Sequence, residues 1–226
     1  MHTDKRIGPA LHKAMKEMSP GGEPMSVVIR ELGRCRYEPA IPDLLSLLRD
    51  PDKKCQWPAS EALATLRCKE AILDLRKIVE QNPEKENKPP RADSYQMALL
   101  RLEGDWGKAG QESRYMIWLP PEATVGQPIP ATVYEENIVT DYREFSAMAV
   151  TADDFMANGK PLIEPDPKGR LIGGSFVSFF APPGYVGHSS VDLSKYITKP
   201  GRYTIRYGLG DIHSNEATII VHPAKP

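Results

Sequence analysis

Leu32-Gly33-Arg34-Cys35 and Leu66-Arg67-Cys68 close two helices about one unit apart, and Ala40-Ile41-Pro42-Asp43-Leu44-Leu45 and Ala71-Ile72-Leu73-Asp74-Leu75 open the helices that follow them. The stretch between Met25 and Val79 therefore reads as two consecutive helical hairpins in register. A spacing of roughly 31 to 34 residues with two helices per unit predicts a short helical solenoid.

The same signal extends outward on both sides. Leu11, Ala14, Met15 and Met18 have the i, i+3, i+4, i+7 spacing of one helical face. So do Ile41, Leu44, Leu45 and Leu48, then Ala59, Ala62, Leu63 and Leu66, and finally Tyr95, Ala98, Leu99 and Leu102. With the stripes at Val28, Ile29, Leu32 and at Ile72, Leu75, Ile78, Val79, the reading gives six helices. Each is apolar along one stripe, so stacking is expected to bury them. Asn82 to Ala92 holds three prolines and five charges, and it reads as a linker.

From Arg114 the period changes to two. Tyr115–Leu119, Ile129–Tyr134, Phe145–Thr151, Leu162-Ile163, Ser175–Phe180, Arg202–Tyr207 and Ala217–Val221 read as about seven short strands. Asn158-Gly159 is a tight-turn signal, and Asp166-Pro167-Lys168-Gly169 is a second turn. Only Tyr37, Trp57, Tyr95 and Trp106 among the aromatics precede residue 111. The expected fold is therefore multidomain: an α-helical repeat domain over 1–110, then a β-sandwich over 111–226.

Composition narrows the function. The net charge of the 226 residues is −1. Residues 1–110 carry 19 basic against 17 acidic side chains, and 111–226 carry 10 against 13, so neither half is a basic-patch domain. The expectation is no nucleic-acid partner. There is no run of apolar residues long enough for a membrane span, and the first residues lack a signal-peptide core. The chain is thus either cytosolic or begins after a removed signal, with the extracytoplasmic side preferred. Cys35, Cys55 and Cys68 are an odd set, so full pairing is excluded. Cys35 and Cys68 sit at similar places in successive units, as thiols or as a disulfide.

The helical half resembles HEAT repeats of the short form. The residues that carry this are Leu44-Leu45-x-Leu47-Leu48-x-Asp50-Pro51-Asp52, Ala59-x-x-Ala62-Leu63-x-x-Leu66 and Ala98-Leu99-Leu100-x-Leu102-x-Gly104-Asp105. Gln56-Trp57-Pro58 departs from that pattern. The second half resembles a bacterial immunoglobulin-like domain, on Val125-Gly126-Gln127-Pro128-Ile129, Val191 to Tyr196, Pro200 to Ile205 and Ser214 to Thr218. Similar modules accompany secreted metallopeptidases of the deuterolysin and peptidyl-lysine type. No His-Glu-x-x-His occurs in this chain, so that activity is not implied.

Candidate chemistry is sparse. The histidines lack ligand spacing, no phosphate loop or Gly-x-Ser-x-Gly occurs, and the expectation is no catalytic centre, no metal and no cofactor. Arg34, Arg36, Lys53, Lys54, Arg67 and Lys69 fall at hairpin turns, where stacking would align them in a basic ridge beside Tyr37 and Trp57. Such a ridge is a solvated rim or a contact site for an acidic peptide or a phosphate-bearing ligand. Ser178 to Tyr185 is the most apolar loop-like stretch, read as packing on the helical half or as a partner surface. These readings converge on a non-enzymatic scaffold that binds a protein or peptide. The alternative, implied by the immunoglobulin-like resemblance, is an accessory or inhibitory module of a secreted peptidase system. Oligomeric state is left open.

Overall fold

The structure is a computed structural model that describes residues 5–19, 22–50, 54–82, 88–146, 150–163, 178–209 and 211–224. Among the described residues six α-helices come first: α1 (Gly8–Glu17), α2 (Glu23–Arg34), α3 (Ile41–Leu48), α4 (Gln56–Thr65), α5 (Ile72–Gln81) and α6 (Tyr95–Glu103). Prolines open α1, α2 and α3, where a missing N–H is harmless. Ser94 caps α6 by accepting a hydrogen bond from the Met97 amide at 3.2 Å.

α2 and α4 end in the same way. Tyr37 N donates to Leu32 O and Arg36 N to Gly33 O, each at 3.1 Å. Cys68 N donates to Leu63 O at 3.0 Å and Arg67 N to Ala64 O at 3.2 Å. This is the Schellman pattern, which places one residue in the left-handed region. Here that residue is arginine both times, with φ of 54° at Arg36 and 59° at Arg67. A left-handed non-glycine residue costs roughly 1–2 kcal/mol, so these two positions pay a backbone penalty that a glycine would avoid.

The expected HEAT-type solenoid is corrected by the packing. A repeat unit buries one stripe of each helix against its neighbours. α4 is instead buried on nearly every side: Gln56, Pro58, Ala59, Ser60, Ala62, Leu63, Ala64 and Thr65 are all buried. Its small side chains permit this. A Cβ on Gly33 would stand 2.7 Å from the Ala62 Cα, so α2 and α4 cross almost backbone to backbone. Gln56, which departs from the repeat pattern, points inward and donates to the Leu48 and Asp50 carbonyls at the end of α3.

Ten strands follow among the described residues: β1 (Ser113–Trp118), β2 (Glu122–Thr124), β3 (Pro130–Asn137), β4 (Arg143–Ser146), β5 (Phe155–Ala157), β6 (Lys160–Pro161), β7 (Ser178–Ala181), β8 (Val186–Asp192), β9 (Gly201–Leu209) and β10 (Ile212–His222). They form three sheets, β1-β3-β8, β2-β10-β9-β5-β6 and β4-β7, none of them closed. All described pairs are antiparallel except β2 with β10. Asn158 and Gly159 turn the chain between β5 and β6 with φ of 51° and 79°. The expected strand over Phe145–Thr151 overlaps β4 at Phe145 and Ser146, and 147–149 lie outside the described residues. The expected strand Ser175–Phe180 is described only from Ser178, and the turn at Asp166–Gly169 lies outside the described residues.

The expected immunoglobulin-like sandwich is corrected as well. The alternation in β3 sends Ala131 and Val133 toward the core shared with the five-stranded sheet. It sends Tyr134 the other way, into a core with Met97, Trp106, Met116 and Val186. Met97 belongs to α6. The three-stranded sheet is thus covered by helix on one face and by sheet on the other, and the architecture is mixed α/β. Tyr134 donates to the Pro90 carbonyl at 2.5 Å, which fixes the segment before α6 to the same sheet.

Candidate functional site

Between α2, α4 and the start of β8 lies a cleft of about 620 Å³. Arg30 and Arg34 supply its α2 wall, one turn apart on one face. Trp57 and Glu61 do the same on α4, and Gly184, Tyr185 and His188 close it from the sheet side. Trp57 is half-buried, its ring edge-on to Tyr95 at 5.6 Å. Arg30 pairs with Glu23 at 3.1 Å and Arg34 with Glu31 at 2.5 Å. Both pairs are partly exposed, so an incoming anion can exchange for either carboxylate at small energetic cost.

Arg101 forms the floor and leads into a buried charge cluster. Glu136 on β3 is 0% exposed. It accepts from Arg101 Nε at 2.9 Å and from Arg114 Nε at 2.6 Å, and Arg67 Nη2 lies 3.0 Å away. The Arg101 carbonyl in α6 accepts from both Arg67 Nη1 at 3.0 Å and Arg114 Nη2 at 2.6 Å. Arg101 Nη2 donates to Thr65 Oγ1 at 2.9 Å. Arg36 joins from the turn after α2 and donates through Nη2 to the Ile138 carbonyl at 3.2 Å. Helix C-termini carry partial negative charge, so the ends of α2 and α4 are suited to hold these cations.

The electrostatics follow from this crowding. Burial pushes the Glu136 carboxyl upward, but Arg101, Arg67 and Arg114 together hold it below its ordinary range. Burial lowers Arg114 to about 10, against the pull of Glu136. Arg36 is lowered by burial and then by Arg67. Gly184 seals the cluster from the sheet side, at φ 74°. A Cβ there would stand 2.4 Å from Thr65 Oγ1 and 2.6 Å from Arg101 Nη2.

The expected basic ridge is split by the fold. Arg34 and Trp57 do meet, in the cleft. Arg36 and Arg67 turn away from it into the cluster, because their left-handed turns face the sheet. Tyr37 packs under α1, edge-on to His12 at 5.6 Å, where a Cβ on Gly8 would strike its ring. Lys54 and Lys69 are exposed and do not line the cleft. Lys53 lies outside the described residues. All three cysteines are buried free thiols, so Cys35 and Cys68 are not bonded. In the stretch from Ser178 to Tyr185, Phe179 packs tilted against Phe145 and Tyr185 packs edge-on to it, while Phe180 remains 67% exposed.

Sequence reasoning missed Arg30, Glu61, Arg101, Arg114, Glu136 and His188. Two of these carried a signal. Arg101 interrupts the apolar run Ala98-Leu99-Leu100-x-Leu102, and Glu136 shares the face of Tyr134 on a strand.

No family model matches this chain, and no curated protein matches it. Among solved structures, a β-glucosidase from Listeria innocua in complex with glucose is similar over 49% of this chain and 16% of its own, at 14% identity and a TM-score of 0.31. The alkylpurine DNA glycosylase AlkC of Pseudomonas fluorescens, bound to DNA containing an abasic-site analogue, is similar over 96% of this chain and 72% of its own, at 13% identity and a TM-score of 0.31. Likenesses at this level carry no fold or activity across. The HEAT-repeat and immunoglobulin-like resemblances find no support in any of the three comparisons, and both are corrected on that ground. Among the described residues no helix is long and apolar enough to cross a membrane.

Proposed function

We propose that the chain is a non-enzymatic binding module that holds an acidic, extended peptide segment of a partner protein in the cleft. Two units, 1–110 and 111–226, each supply one wall. The observation that supports this reading most is that Trp57 lines the same cleft as Arg30, Arg34, Arg101 and His188. A half-buried indole beside arginines is the usual make-up of an interface anchor. The cations select carboxylate side chains, and the indole gives apolar area to the peptide's backbone and stems. The peptidase-accessory reading depends on the immunoglobulin-like resemblance, and no feature of the cleft favours it separately.

The test is a fluorescence titration of the whole chain with a labelled peptide pool rich in Asp and Glu, against neutral and Lys-rich pools. Binding of the acidic pool, weakened about tenfold or more by Trp57→Ala and by Arg34→Glu, is the expected result. Equal binding of all pools would remove the reading. Binding of a DNA oligonucleotide in preference to every peptide would replace it.

A further inference from the structure

Three guanidinium groups meet one carboxylate under the cleft, and a fourth stands beside them. Arg67, Arg101 and Arg114, from the turn after α4, from α6 and from β1, each pair with Glu136, and Arg36, from the turn after α2, lies near enough to feel its charge without pairing with it. Four positive charges against one negative leave an excess of three within this cluster. Carbonyl dipoles at Arg101 and Ile138 take several of the N–H groups, but they carry no net charge. One donor is left over. Arg36 Nε is buried and has no hydrogen-bond partner, and orphaned buried donors of this kind are rare in native structures.

We propose that this cluster binds a phosphate group, which accepts a hydrogen bond from Arg36 Nε and serves with Glu136 as the second counter-charge. The excess charge favours a dianion over a carboxylate, because one further monoanion would leave two positive charges of the cluster without a counter-charge. Arginine is suited to the role, since its planar fork matches phosphate oxygens two at a time. The group can reach the cluster from the Arg67 side, where 31% of that side chain is open to solvent. The phosphate is either a free ion or a phosphoryl group on a polypeptide. The proposal stands on the cluster alone, so it does not depend on what occupies the cleft.

Thermal unfolding of the whole chain in sodium phosphate, against sodium chloride at matched pH and ionic strength, tests it. The melting temperature should rise with phosphate and not with chloride. Arg36→Met should abolish the rise. Arg36→Lys keeps the charge but lacks the fork, so it should weaken apparent phosphate affinity about tenfold while circular dichroism stays native. A second arm compares a phosphoserine hexapeptide with its unphosphorylated form. A larger shift with the phosphopeptide than with orthophosphate assigns the group to a polypeptide, and an equal or smaller one assigns a free ion. No phosphate-specific rise in either arm, or a rise that survives in both Arg36 variants, overturns the proposal, even where acidic peptides still bind the cleft.

Discussion

Arg101 Nε donates to Glu136 at 2.9 Å, and both side chains are almost wholly removed from water, at 4% and 0% exposure. This pair joins α6 to β3 across the boundary between the helical and strand-rich parts. A buried ion pair contributes little net stability over an apolar pair of the same shape, yet removing one partner strands the other charge. Glu136 has three arginine partners, so its loss strands more than one.

Glu136→Gln should therefore destabilise the chain by about 3–5 kcal/mol, the range for breaking a buried pair from one side. Urea unfolding measures it. A loss under about 1 kcal/mol would show that the guanidinium groups find water or carbonyl partners without the carboxylate.

The same residue sets an acid limb. Its folded pKa lies below the ordinary value of 4.5, so the unfolded chain binds its proton first as pH falls. The contribution is therefore fully present above about pH 4.5 and is lost as pH drops through the lower folded value, with a slope of at most about 1.4 kcal/mol per pH unit. Stability curves of the wild type and Glu136→Gln should converge as pH falls below that point. Parallel curves down to the acid transition would rule Glu136 out as the titrating group.

Gly184→Ala should lower stability by roughly 1–3 kcal/mol. The left-handed φ of 74° accounts for about 1 kcal/mol. The rest comes from driving a Cβ into Thr65 Oγ1 and Arg101 Nη2. Because this glycine lies against both the cleft and the cluster, phosphate-dependent stabilisation should fall with it. A variant as stable as the wild type would mean the loop is free to move off Arg101.

Far-UV circular dichroism and tryptophan fluorescence should report one coincident unfolding transition. Trp106, Met97, Met116, Tyr134 and Val186 form one core shared by α6 and the three-stranded sheet, and the charge cluster lies on the same face of β3. Of the three tryptophans, Trp106 is buried there and reports on the junction itself, while Trp57 and Trp118 report on the helices and on β1. Two separated transitions would show that the helices and the sheets unfold independently.

Tyr203→Phe should cost only about 0.5–1 kcal/mol. The Tyr203 hydroxyl donates to the Lys199 carbonyl at 2.9 Å in a setting open to water, which compensates for most of its loss. Its ring packs on the β9–β10 core, so Tyr203→Ala should cost more. Equal effects of the two would mean that the ring contributes nothing beyond its hydroxyl.

Local chemistry made much of the chain legible. Heptad-like spacing located all six helices, Asn158-Gly159 located a turn, and the switch of period near Arg114 located where strands begin. These are short-range signals, carried by backbone sterics and by which face of an element is apolar. β8 escaped the reading because His188, Ser189 and Ser190 give it little apolar alternation, and its pairing with β3 is what makes it a strand. Only the tertiary structure decided what covers each face. A stripe such as Ala59, Ala62, Leu63 and Leu66 specifies a buried side, but not that the other sides of α4 are buried too. Arg36 and Arg67 look like Arg34 in sequence, all charged residues near helix ends. The left-handed turn sends two of them under the sheet and leaves the third in the cleft, and Glu136, far away along the chain, gives Arg67 its counter-charge. Long-range pairing of charges leaves no periodic trace in a single sequence, because any strand position facing inward could have held the carboxylate.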